Sequence, residues 1–283
     1  MKSSRGIVKV GSTTSPCFIF AAGVVCLCLW FSVIGNGQAG DSNASISPFQ
    51  KELEIQRSRL KSDDREVRRD AVLVLGRMKK VESSRLAVTA LNDVDASVRA
   101  SATHAILSLP ADEAARALVP LLGDKSDFVR QETAYALGRT RSKQATAALV
   151  DSLKFDKVAG VRAAAALSLG LIGDRSATDA LLNVVSGKSE SDGKRKRKAE
   201  RNDFVLRSSV RSLGMIRDPK AVPELETILG DQMAAGDVRR EAATALGEIM
   251  DKSALQSLTA VLTTADPYLA KAARDAIKRI EKQ

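Results

Sequence analysis

From Val67 onward one arrangement of apolar and polar positions returns along the chain. A β-branched or aliphatic residue leads, arginine usually follows within two positions, small residues come next, and the block most often closes on leucine and glycine. The blocks are VRRDAVLVLG from Val67, VRASATHAIL from Val98, VRQETAYALG from Val129, VRAAAALSLG from Val161, VLRSSVRSLG from Val205, VRREAATALG from Val238 and LAKAARDAIK from Leu269. Their starts are 31, 31, 32, 44, 33 and 31 residues apart. Within a block the apolar residues fall three or four positions apart, which is the buried stripe of an α-helix. In the third block Val129, Thr133, Ala136 and Leu137 share that stripe.

A second amphipathic run precedes each block, as in AARALVPLLGD before Val129 and AVPELETILGD before Val238, and FQKELEIQRSRL from Phe49 opens the series. Short turns such as GRTRSK, GLIGDRS and GMIRDPK separate the pairs. One pair of helices cannot cover its own apolar stripe, but stacked pairs can. The pattern therefore predicts an all-α fold, an α-solenoid of about seven helix pairs over residues 48–283. Gly76, Gly138, Gly170, Gly214 and Gly247, nine positions after the leading residue, are expected late in their helices, where a small residue permits close packing or a turn. Pro110 and Pro223 are expected at helix starts. Pro120 lies inside an apolar run and predicts a kink or an early end.

The 44-residue interval marks an insertion over residues 186–203, SGKSESDGKRKRKAERND, between the two helices of the fifth pair. Its composition reads as a mobile, exposed loop. At the N-terminus, three cations and no acid precede an uncharged run from Cys17 to Gly35, followed by the small, polar NGQAGDSNAS. This order predicts a signal peptide cut after Ala39, or a retained membrane anchor, in residues 1–39, with a linker at 40–47. The rest of the chain is then exported, periplasmic or extracytoplasmic, or held at the inner membrane.

Composition changes this picture at two points. All three cysteines lie in the apolar N-terminal run, so the repeat region has neither a disulfide nor a thiolate metal site. The formal charge of +10 is concentrated: Lys2, Arg5 and Lys9 supply three charges, and the stretch from Lys194 to Arg201 a net five. The remaining body is nearly neutral, which disfavours nucleic acid as the partner. Lys194, Arg195, Lys196, Arg197, Lys198 and Arg201 are candidates for an anionic partner, an acidic protein or a membrane surface among them.

On these blocks the chain resembles the HEAT repeats of the short type first named from phycobilisome bilin lyases. The resemblance covers about residues 49–283. It implies that the second helix of each pair lines a concave face. It also implies a ladder between repeats, with Arg68, Arg99, Arg130, Arg162 and Arg239 as the cations and Asp93, Asp124 and Asp156 as the acids. Leu206 and Ala270 interrupt the arginine series, so the fifth and seventh repeats are expected to pack differently.

Six positions after the leading residue, the residues vary while the framework repeats. There His104, Tyr135, Leu167 and Arg211 would form a mixed track along the concave face, with the composition of a protein-binding surface. His104 is the only histidine, so no multi-histidine metal site can form. The chain has no nucleophile elbow, no phosphate-cradling loop and no His-Glu pair. The expectation is a non-catalytic scaffold without cofactor, binding a protein on its concave face. A nucleic-acid-binding solenoid using the basic loop is the alternative. A tetrapyrrole chaperone, suggested by the resemblance alone, is the third reading.

Overall fold

Ser47 and Gln50 start the first helix. The Gln50 N–H donates to Ser47 Oγ at 3.2 Å, and the Ser47 N–H donates to Gln50 Oε1 at 3.1 Å, a reciprocal cap that satisfies two donors no helix can satisfy internally. The computed structural model describes residues 47–282 apart from 189, 192, 194, 195 and 198, with the backbone alone at 190, 191, 196 and 197. The expectations for residues 1–39, and for the linker short of Ser47, lie outside the described residues. Among the described residues no helix is long and apolar enough to cross a membrane.

Fourteen α-helices are described, and they form seven pairs: α1 (Pro48–Arg59) with α2 (Arg65–Arg77), α3 (Val81–Ala87) with α4 (Ala96–Ala105), α5 (Ala111–Leu118) with α6 (Asp127–Thr140), α7 (Thr146–Phe155) with α8 (Ala159–Ile172), α9 (Thr178–Val185) with α10 (Asp203–Ile216), α11 (Val222–Gly230) with α12 (Gly236–Ile249), and α13 (Leu255–Ala260) with α14 (Pro267–Glu281). Each second helix packs on the second helix of the next pair. The fold is an all-α solenoid.

From the second block on, the leading residue is a core anchor: Val98, Val129, Val161, Val205 and Leu269 are fully buried and Val238 nearly so, while Val67 at the open start of the stack is only half-buried. Eight positions on, Leu75, Ile106, Leu137, Leu169, Leu213 and Leu246 are also fully buried. First helices contribute Leu118, Leu149, Leu181, Leu225 and Leu258 from the other side. The late glycines set how closely neighbouring second helices approach. A Cβ on Gly138 would stand 2.8 Å from Ser168 Cα, and one on Gly170 2.9 Å from Ser212 Cα. The serines that face these glycines also join the helices, Ser168 Oγ donating to the Ala134 carbonyl at 2.7 Å and Ser212 Oγ to the Ala166 carbonyl at 2.8 Å. In α4 this position is Leu107, and α4 ends two residues before it.

Pro120 acts as its position predicts: α5 stops at Leu118 and the chain continues as a 3₁₀ turn over Val119–Gly123. Proline lacks the N–H that an α-helix would need there. The insertion differs from a featureless loop. Its two short strands, β1 (Glu190–Ser191) and β2 (Lys196–Arg197), pair antiparallel, Glu190 opposite Arg197 and Ser191 opposite Lys196. Gly193, at φ +85°, supplies the positive φ that so tight a reversal requires.

Candidate functional site

The elements that would carry a site are the second helices and the turns leading into them. In the turns, an acid five positions before the leading residue closes its own loop. Asp93 accepts the Asp95 N–H, Asp124 the Ser126 N–H and Asp156 the Val158 N–H, each at 2.9 Å. The same carboxylates receive a two-pronged arginine from the preceding unit. Arg68 reaches Asp93 at 2.7 and 2.9 Å, Arg99 reaches Asp124 at 2.7 and 2.8 Å, and Arg130 reaches Asp156 at 2.7 and 3.0 Å. The third nitrogen of each arginine donates to backbone carbonyls of its own turn, as from Arg99 to Asp93 O at 2.8 Å. The result is a continuous hydrogen-bonded line through successive turns.

Two places differ from the ladder read in the sequence. Arg162 pairs with Glu200, at 2.7 and 3.2 Å, and the Glu200 side chain is only 6% exposed. Glu200 stands five positions before Val205, so the insertion is accommodated without losing the rung. Arg239 is not a rung. It donates to the Leu229 carbonyl at 3.1 Å, because the acid positions on either side hold Met233 and Thr264. Beyond the insertion Arg207 pairs with Asp237 at 2.8 Å and Arg240 with Asp266 at 2.9 Å, one residue further along their helices.

Of the basic loop, Lys194, Arg195 and Lys198 lie outside the described residues, Lys196 and Arg197 are placed in β2 by backbone only, and Arg201 is exposed.

The variable track runs across the face made by the second helices. Tyr135 on α6, Leu167 on α8 and Arg211 on α10 come together in one groove of about 540 Å³, which α12 completes with Thr244 and Ala245. Leu171, Met215, Glu241 and Glu248 line the same groove. These four were missed by a reading confined to one position per repeat. They stand at the third or tenth position after the leading residue, and i, i+3 and i+7 share one helix face, so the signal was present. Leu171 and Met215 are 39% and 38% exposed, which is high for large apolar side chains in a repeat body.

His104 does not join the groove. Its Nε2 lies 2.6 Å from Glu132 Oε2, and Arg139 approaches its Nδ1 at 3.3 Å. Guanidinium can only donate, so Nδ1 is the acceptor and Nε2 carries the proton given to Glu132. This network ties α4 to α6. At the far side, Glu248 is held by Arg217 at 2.9 Å and by Arg279 at 2.5 Å, and the Arg217 hydrogen bond leads in keeping its carboxyl below the ordinary range. Glu241 is different: burial pushes its carboxyl up, against the opposing charges of Arg211 and Arg207.

Among the described residues no three histidine, cysteine, aspartate or glutamate side chains come together as metal ligands. The arrangement is an apolar floor between two charged networks, suited to holding a segment of another molecule.

A family model described as HEAT repeats matches residues 53–138, 116–202 and 196–278. Among solved structures, the Escherichia coli protein YIBA is 19% identical, over 83% of this chain and 82% of that one, with a TM-score of 0.57. An engineered protein is 21% identical over 81% and 68% of the two chains, with a TM-score of 0.50. The complex of CpcE and CpcF of phycocyanin lyase from Nostoc sp. PCC7120 is 19% identical over 81% and 94%, with a TM-score of 0.49. At such identities the likeness is one of fold. Compared by sequence with curated proteins, the chain matches none significantly.

Proposed function

The chain belongs to the HEAT-repeat family, and from that premise we propose that it is a non-catalytic scaffold which binds a protein partner in the groove on its second-helix face. The observation that carries this reading is the groove itself. Three successive second helices, α6, α8 and α10, place Tyr135, Leu167, Leu171, Arg211 and Met215 side by side, with Leu171 and Met215 left partly open to water. Aromatic, arginine and methionine side chains grouped over an apolar floor are what protein interfaces are enriched in. Export or membrane anchoring through residues 1–39 belongs to the same proposal, supported by the order of cations, apolar run and small residues there.

The test substitutes Leu171→Asp and Met215→Asp together. Both side chains are over a third exposed, so helicity and thermal midpoint should stay close to those of the parent. Crosslinked partners recovered with the parent chain from its own cells should disappear with the variant. Recovery of the same partners in the same amount would move the binding site off this groove. Intact mass of the protein in membrane and soluble fractions reports on the N-terminus: a soluble form starting at Gly40 or a full-length membrane form supports the proposal, and a full-length soluble cytoplasmic form overturns its localisation.

A further inference from the structure

The groove has a charge preference built into it. Arg211 is the one cation among the described residues that line it. Its side chain is 61% exposed, and the nearest carboxylate, Glu241, stands 3.6 Å away, beyond hydrogen-bonding distance. The cations flanking the groove are already committed. Arg139 donates to His104, and Arg217 and Arg279 share Glu248. The groove therefore presents a guanidinium that is loosely ion-paired with Glu241 but hydrogen-bonded to no acceptor there, beside a floor of Leu167, Leu171 and Met215. Its two acids offer a cation little. Glu248 is satisfied by two arginines. Glu241 is 20% exposed, and its charge is already disfavoured by burial.

We infer that the groove takes a short protein segment that lays aliphatic side chains on Leu167, Leu171 and Met215 and gives a carboxylate to Arg211. This rests on the reading of the groove as the partner site and names the chemistry of the partner. A carboxylate would complete a two-pronged, charge-assisted pair with the planar guanidinium. A segment offering lysine or arginine at that place would meet Arg211 as a like charge, which costs affinity and also rejects wrong partners.

The experiment selects peptides from a random displayed library on the immobilised full-length chain. Selected peptides should combine aliphatic residues with aspartate or glutamate. Selection on Arg211→Glu should keep the aliphatic residues and exchange the acids for lysine or arginine. A peptide chosen on the parent should bind Arg211→Gln roughly tenfold to a hundredfold more weakly, with the helical signal unchanged. Absence of acid enrichment, or an unchanged preference on Arg211→Glu, overturns the inference. If those peptides still need Leu171 and Met215, the groove reading survives that failure. Peptides indifferent to Leu171→Asp with Met215→Asp, or no selection at all, overturn both.

Discussion

The first four repeats and the last three are built from the same block, yet they are linked differently. Up to Glu200, every arginine that follows the leading residue is largely shielded, with side-chain exposure of 8–16%, and grips the acid of the next turn with two nitrogens. After Glu200 the corresponding positions hold Leu206, Arg239 and Ala270, and the acid positions hold Met233 and Thr264. The pairs that remain, Arg207–Asp237 and Arg240–Asp266, use arginines that are 41% exposed. A second contact ends in the same region. Thr146 donates to Asp174 at 3.0 Å and Thr178 to Asp218 at 2.9 Å, each tying a first helix to the next turn; the next such position is Val222. The same residue types thus act as a framework where they are desolvated and fully hydrogen-bonded, and as surface pairs where they are not.

Removing one partner of each kind gives the largest expected contrast. Arg130→Ala strands Asp156, which is 8% exposed, and should cost about 2–4 kcal/mol in denaturant unfolding. Arg207→Ala leaves Asp237 in contact with water and should cost under about 1 kcal/mol. Equal losses would erase the distinction between the two halves.

Acid should weaken the first half through its ladder. Burial by itself would raise the Asp124 carboxyl, but hydrogen bonds from Arg99 and the Ser126 N–H, with the charges of Arg99 and Lys125, hold it below its ordinary value of 3.8. A carboxyl depressed in the folded state contributes stability above its ordinary value and loses it as pH falls through the folded one. Glu241 has the opposite sign: raised by burial, it favours unfolding at neutral pH and ceases to do so as it takes up a proton. Unfolding midpoints measured from about pH 7 down to about pH 3 should show Asp124→Asn approaching the parent as pH falls, and Glu241→Gln above the parent at neutral pH only. A constant gap for Asp124→Asn would mean that its charge is not what the ladder uses.

The last repeats also allow a gain. The turn before α14 matches the turn before α4 residue for residue: Thr264 stands where Asp93 does, and Asp266 caps its helix as Asp95 does. Thr264→Asp would offer Arg239 the acid it lacks and should add about 1 kcal/mol. Coupling measured by a double-mutant cycle with Arg239→Ala checks that the gain comes through this pair. A zero coupling would show that the longer turn before α12 holds Arg239 too far away.

Most of the fold was legible because the repeat is a statement about burial. The leading valine, the leucine eight positions on and the late glycine recur where neighbouring helices must meet. Pro120 marked its helix end for a different reason, the backbone N–H that proline lacks. Glu200 was obscured because the ladder was read from aspartates alone, although Glu200 keeps the same offset before Val205 as they keep before their leading residues. The hairpin was missed because a charged, glycine-containing stretch offers no apolar alternation to mark short strands. The groove was half read: Tyr135, Leu167 and Arg211 follow from the helical period, and Leu171 and Met215, four positions after Leu167 and Arg211 on the same face, followed from it too but were passed over because only one position per repeat was considered.

The smallest effect separates the halves most finely. Arg141 ends α6 and Met250 ends α12 in the left-handed conformation, at φ 56° and 61°, where α8 has Gly173 at φ 71°. A side chain there costs about 1 kcal/mol, so Arg141→Gly and Met250→Gly should each gain up to that amount, reduced by the entropy glycine adds to the unfolded chain. What distinguishes them is reach. In a stack, a unit's stability is shared with its neighbours through their interfaces. Hydrogen exchange should show the Arg141→Gly gain spread over α4, α6 and α8, which the buried rungs hold together, whereas the Met250→Gly gain should stay within α12 and its immediate neighbours. A gain that spreads equally far from both sites would mean that the apolar interfaces alone carry the coupling, and that the ladder's burial adds strength without adding cooperativity.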